Sequence, residues 1–122
     1  MLRLTIAHES WPIAGAFTIS RGSKTSAEVV VVTLEQEGHL GRGECVPYPR
    51  YSETVNSVAT SLENVRAPIE AGFTHADVSD LVIPRAARNA LDCALWDLQA
   101  KRAGKPVWQL ALLQQPRPMV TA

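Results

Sequence analysis

The sequence reads as an α+β domain in which a three-stranded antiparallel meander is followed by a helical bundle packed on one face of the sheet. Three features carry that reading. Ala27–Glu35 (AEVVVVTLE) is dense in β-branched residues, and a Glu37-Gly38 turn signal then leads into a second extended run, His39–Val46. Leu2, Leu4 and Ile6 alternate with Arg3, Thr5 and Ala7, the period-two pattern of a half-buried strand. Pro84–Leu113 places small and apolar side chains at helical spacing.

In chain order, Trp11-Pro12 ends or bends the first strand, and Gly15–Thr25 (GAFTISRGSKT) reads as a loop rich in Ser, Thr and Gly. Gly41 and Gly43 weaken the third strand and point either to a bulge or to the close approach of another backbone. Cys45–Ser52 (CVPYPRYS) is irregular because two prolines bracket a tyrosine. Ser52 is the expected cap of a helix with Glu53 in its first turn. Val55, Val58, Leu62 and Val65 form that helix's apolar stripe, and Pro68 ends or kinks it. Thr74 and Asp77 resemble a capping box for a short helix towards Leu81.

The long helix then starts from Pro84, with Ala86, Ala87, Ala90, Leu91, Ala94, Leu95 and Leu98 on one broad apolar face. Arg88–Asp92 and Asp97–Lys101 lie at ion-pair spacing on the polar side. Gly104 is placed for a left-handed C-terminal residue, and Pro106 for the start of a further short turn.

Composition narrows the function. Twelve basic residues balance twelve acidic ones across 122 positions, with no basic block, which argues against nucleic acid as a partner. No apolar run is longer than the four residues of Val29–Val32, far too short to span a membrane. His8, Glu9 and Ser10 interrupt any signal-peptide core, so the expected setting is cytoplasmic, with Cys45 and Cys93 as reduced thiols. Gly41-Arg42-Gly43 lacks the rest of a dinucleotide fingerprint, and the three histidines are scattered. Cys45 has no nearby histidine in sequence to activate it as a nucleophile.

Two segments are better placed for binding. Ser20–Thr25 holds Arg21 and Lys24 with no acid between them; it either closes over an anion or is a solvated basic loop. Pro47–Tyr51 presents Tyr48, Arg50 and Tyr51 on a stiff proline frame, as a pocket wall or as a packed surface turn.

With these residues in view, the chain resembles the N-terminal capping domain of the enolase superfamily, in the muconate-lactonizing-enzyme subgroup. Gly41-Arg42-Gly43-Glu44, Ala86–Leu98 (AARNALDCALWDL) and Gly104-Lys105-Pro106-Val107 carry the match. Phe17–Thr25 and Gly43–Ser52 look most like the dipeptide epimerases that act on L-Ala-D/L-Glu.

The resemblance implies a cap that closes over a (β/α) barrel and finishes the pocket with two loops. The barrel supplies the lysines and the three carboxylates that hold Mg²⁺, which stabilises the enediolate formed on α-proton removal. It implies that Arg21 meets a distal carboxylate of the dipeptide, that Lys24 shares its loop, and that Phe17 shapes the wall beneath. Tyr48, Arg50 and Tyr51 would line the second loop.

The only lysines are Lys24, Lys101 and Lys105, so no Lys-x-Lys pair is present. Residues 1–113 are therefore expected to be the cap and residues 114–122 a linker with the start of the missing barrel. That makes the chain a fragment or an incomplete gene product, inactive alone. The alternative is a free-standing binding module without catalysis. A face around Ala87, Leu91, Ala94, Leu98 and Trp108–Leu113, uncovered without a barrel, would favour a homo-oligomer.

Overall fold

The computed structural model describes residues 1–20 and 22–122. The meander is β1 (Arg3–Ile19), β2 (Gly22–Gln36) and β3 (His39–Cys45), antiparallel in the order β1-β2-β3. Helices follow: α1 (Val55–Asn64), α2 (Arg66–Glu70), α3 (Arg85–Ala103) and α4 (Val107–Leu110). Short 3-10 segments lie at Pro49–Tyr51 and His75–Asp80. No helix among the described residues is long and apolar enough to cross a membrane.

Leu34, Val32 and Val30 alternate along β2 towards the helices and are fully buried. Leu4 lies opposite Leu34, and Ile6 opposite Val32. The helical side of this core is Val58 and Leu62 of α1, Ile69 of α2, and Ala87, Ala90, Leu91, Ala94, Leu95 and Leu98 of α3.

The third strand answers the question its glycines posed. Gly41 and Gly43 lie against α3 so closely that an added Cβ at Gly43 would collide with the Ala90 carbonyl and stand 2.7 Å from Ala94 N; at Gly41 it would meet the Ala94 carbonyl and Leu98 Cβ at 2.5 Å. The glycines and the helix's alanines together bring two backbones into contact. The stripe from Ala87 to Leu98, expected to lie bare, is thus covered by this chain's own sheet. Exposed apolar side chains fall later, at Val107, Leu112 and Leu113.

Side chains hydrogen-bond to part of each outer edge of the sheet. On the β1 edge, Leu4 N–H donates to Glu70 Oε1 at 3.0 Å, and Arg66 Nη1 donates to the Leu4 carbonyl at 2.5 Å. On the β3 edge, one ridge of α3 does the same work. Asn89 Nδ2 donates to the Glu44 carbonyl, Asp97 accepts Arg42 N–H at 2.8 Å, and Lys101 Nζ donates to the Leu40 carbonyl at 2.9 Å. Unpaired strand edges invite association with another chain, and these contacts occupy the start of β1 and three backbone groups of β3.

Several boundaries differ from expectation. The loop expected at Gly15–Thr25 is the far part of a hairpin, with Phe17 opposite Lys24, Thr18 opposite Ser23 and Ile19 opposite Gly22. Trp11-Pro12 bends the strand without ending it. Four β1 residues lie between the paired Pro12 and Phe17, against one β2 residue between Ser26 and Lys24, with Gly15 at φ +84° in the bulge. An edge strand tolerates proline because the missing N–H is not needed for pairing.

The cap of α1 is Thr54, which exchanges hydrogen bonds with Ser57, and not Ser52, which takes a left-handed conformation after the 3-10 turn. The break expected of Pro68 falls one turn earlier. α1 ends at Asn64, whose carbonyl the proline would clash with and leave without an N–H partner, and α2 restarts after Val65 with Pro68 in its first turn, where no N–H is required. Arg88 donates to the Leu81 carbonyl at 2.7 Å in place of pairing with Asp92, whereas Asp97–Lys101 forms at 2.7 Å. The Glu37-Gly38 turn, the Thr74/Asp77 box and the Gly104 terminus stand where expected, the glycines and Glu37 all at positive φ.

Candidate functional site

Two segments meet beyond the end of β3. The first is the far hairpin, where Phe17 and Lys24 are cross-strand partners and share one side of the ribbon. The second is the turn after β3. Tyr48 is extended, Pro49–Tyr51 forms one 3-10 turn, and Ser52 closes it at φ 59°. Tyr51 N–H donates to the Tyr48 carbonyl and Ser52 N–H to the Pro49 carbonyl, both at 2.9 Å.

The tight turn brings the Tyr48 and Tyr51 rings to 6.0 Å between centroids, tilted by 41°. Lys24 Nζ lies 5.4 Å from the centre of the Tyr48 ring, so hairpin and turn touch through a cation–π contact. Phe17 and Tyr51 are left more than half exposed, 58% and 59%.

Of the expected binding residues, the structure therefore brings together Lys24, Tyr48 and Tyr51, with Phe17 beside Lys24. Arg50 is exposed on the same turn and makes no hydrogen bond or ion pair among the described residues. Arg21 lies outside the described residues.

Glu53 is the residue the sequence placed wrongly. Read as a first-turn helix residue, it is instead buried, with Oε2 accepting Tyr48 N–H at 3.3 Å and Oε1 accepting Ala86 N–H at 3.2 Å. It lines a shallow depression of about 450 Å³ with Tyr51, Ser52, Ile83, Pro84 and Arg85. The usable signal was Thr54-x-x-Ser57, a cap pair that moves the helix start past Glu53.

The chemistry of this surface is that of recognition. The Lys24 ammonium and the phenol O–H groups can donate to a carboxylate-bearing ligand, and the exposed Phe17 ring offers it apolar contact. Cys45 is buried, and burial pushes its thiol up to about 11, away from the thiolate a nucleophile needs. Among the described residues no group of three or more His, Cys, Asp or Glu side chains is placed to hold a metal ion.

The model of the mandelate racemase/muconate lactonizing enzyme N-terminal domain matches residues 1–111. The chain belongs to this family. It is 43% identical, over its whole length, to the L-Ala-D/L-Glu epimerase of Escherichia coli (strain K12), of which it spans 38%. An enolase-family protein from Agrobacterium tumefaciens, with homology to dipeptide epimerases and solved with sodium and L-Ala-L-Glu bound, superposes with a TM-score of 0.93. The two are 44% identical, over 99% of this chain and 37% of that one. An N-acetyl-D-glutamate racemase of a Pseudoalteromonas species is 41% identical over 87 residues, 67% of this chain and 27% of the relative. This member of the family thus spans little more than a third of the first two relatives, and it has the three-stranded sheet and helices of the enolase N-terminal domain.

Proposed function

We propose that this chain is the substrate-specificity cap of a Mg²⁺-dependent dipeptide epimerase that inverts the α-carbon of L-Ala-D/L-Glu-type dipeptides. Residues 1–113 would form the cap and residues 114–122 the connection to a barrel. The observation that carries the reading is the meeting of Lys24 with Tyr48 across two separate segments, in a chain alike over its whole length to an L-Ala-D/L-Glu epimerase.

The cap's part is to bind and enclose. Lys24 and Arg21 would face the distal carboxylate of an acidic dipeptide; Phe17, Tyr48, Arg50 and Tyr51 would wall the pocket and exclude water. The groups that move the α-proton and the Mg²⁺ ligands would lie outside these 122 residues.

Two measurements test this. The purified 122-residue chain should not exchange the α-proton of L-Ala-L-Glu in D₂O; exchange abolished by a substitution within the chain would overturn the cap reading. In a protein that joins this segment to a barrel, Arg21→Ala should cost acidic dipeptides about ten- to a hundredfold more than neutral ones, as a lost charge-assisted hydrogen bond does. Equal losses on both would remove Arg21 from the pocket.

A free-standing interaction module is the second reading, and the burial of the whole α3 stripe within this chain supports it. A continuous reading frame carrying Lys-x-Lys and spaced carboxylates after Ala122 would decide for the cap.

A further inference from the structure

Among the described residues, Glu53 is the charged side chain that the fold buries, at 7% exposure. No lysine, arginine or histidine is ion-paired with it among those residues. Its partners are the N–H groups of Tyr48 and Ala86, and its own N–H donates to the Tyr48 carbonyl at 3.3 Å. Burying a carboxylate for two long hydrogen bonds to neutral donors is costly, even beside the favourable N-terminus of α3. Stability alone does not call for it.

What a carboxylate supplies here is two acceptor oxygens that diverge from one short stem. One holds the turn that carries Tyr48 and Tyr51. The other holds the first turn of α3, thirty-three positions along the chain. That helix is itself clamped to β3 through Gly41 and Gly43. The line of contact then continues from Tyr48 through its ring to Lys24, and from Lys24 to Phe17 across the hairpin.

We propose that Glu53 is a positioning residue: it fastens the backbone of Tyr48 to the rigid start of α3, so that the Tyr48 ring is held where the far hairpin docks. The geometry is independent of the activity; the consequence for substrate rests on the reading of these two segments as a pocket wall. Glu53→Gln preserves the shape but replaces one acceptor oxygen with a donor, which opposes one of the two N–H groups.

The test is nuclear magnetic resonance of the isotope-labelled chain as wild type, Glu53→Gln and Val58→Ala. In the wild type, the Tyr48 and Ala86 amides should be protected from exchange, and the Lys24 ε-methylene protons shifted upfield by the Tyr48 ring. Glu53→Gln should lose protection at one of those amides together with the Lys24 shift, while Gly43 and Ala90 signals stay in place. Val58→Ala loosens the core without touching Glu53 and should keep the Lys24 shift.

A Lys24 shift that survives Glu53→Gln, or that Val58→Ala removes equally, overturns the proposal. If Glu53→Gln does not fold, the wild type decides: protection at both amides supports the strap, and rapid exchange at either one overturns it. None of these readouts uses turnover, so a failure of the epimerase reading leaves them interpretable. In a protein with the barrel, Glu53→Gln should raise KM for L-Ala-L-Glu with kcat nearly unchanged, and the opposite split would overturn the role in positioning.

Discussion

β1 and β2 form one ribbon whose two ends are held by different means. At its base, Leu4, Val32 and Leu34 are buried, glycines let α3 lie on β3, and side chains hydrogen-bond to part of each outer edge. At its far end, Phe17 and Ile19 stand open to solvent, and the described contact with the rest of the chain is Lys24 on Tyr48. Packing of the base is dense and leaves little freedom. The far end rests mostly on backbone pairing, with one Thr18–Ser23 hydroxyl hydrogen bond at 3.0 Å inside the hairpin and the Lys24–Tyr48 contact outside it. A surface that must accept a ligand is drawn from the less stable part of a fold, while the part that positions it is kept rigid.

Glycine substitution separates the two ends most sharply. Gly43→Ala drives a methyl group into the Ala90 carbonyl and to within 2.9 Å of Cys93 Cβ, and backbone on both sides leaves nothing to yield. We expect a loss of about 3 kcal/mol, at the upper end of overpacking effects. Gly15→Ala meets no atom within 4 Å and is disfavoured only by its φ of +84°, so a loss of roughly 1 kcal/mol is expected. Urea midpoints for the two variants measure the contrast. Equal losses would mean that α3 is not seated on β3 as described.

The edge contacts come next. Arg66 donates to the Leu4 carbonyl and to Glu63 and Glu70. Its side chain is one-third exposed, so Arg66→Met should cost only about 1 kcal/mol. The acid side of the stability curve sharpens this. The Glu70 carboxyl is held below its ordinary value of 4.5, first by Leu4 N–H and then by Arg66. A carboxylate with a lowered folded pKa stabilises the protein above its unfolded value, and that stability is lost as pH falls through the folded value. Asp97 acts with the same sign below 3.8, its burial being outweighed by Lys101 and by Arg42 N–H. Glu70→Gln should therefore flatten the fall in stability below about pH 4.5 and leave the neutral side of the profile unchanged in slope. A profile identical to the wild type would remove Glu70 from the edge.

The same contrast explains what was legible in the sequence. Elements whose reasons are local came through: the β-branched run of β2, the Glu37-Gly38 turn, the Thr74 capping box, and the stripe of α3 with its glycine terminus. The far hairpin did not, because its Ser, Thr and Gly content is that of a loop, and only pairing across the ribbon makes it strand. The side-chain contacts to both edges were illegible for another reason. Asn89, Asp97 and Lys101 read as an ordinary polar face, and nothing in their spacing names the β3 backbone as their partner. Glu53 was misread because helix capping is settled one or two residues either way by the competition between Ser52 and Thr54. Residue chemistry and the family resemblance both pointed to the two segments proposed to bind, yet which of their side chains touch depended on the fold.

The smallest expected effect bears directly on how the two candidate segments are joined. The Lys24 ammonium stands 5.4 Å from the Tyr48 ring centre at an exposed site, and contacts of that kind are worth about 0.5–1 kcal/mol. Lys24→Met alone should shift stability by less than that, because the methionine keeps part of the apolar stem against the ring. Tyr48→Leu removes the aromatic face and also its packing on Tyr51, so it cannot be read alone. A double-mutant cycle isolates the pair. A coupling energy of about 0.5 kcal/mol, little changed when salt is raised, would mean that hairpin and turn are linked through the ring face. A coupling near zero would mean that each segment is placed independently, and the far hairpin would then be held only by pairing within its own ribbon.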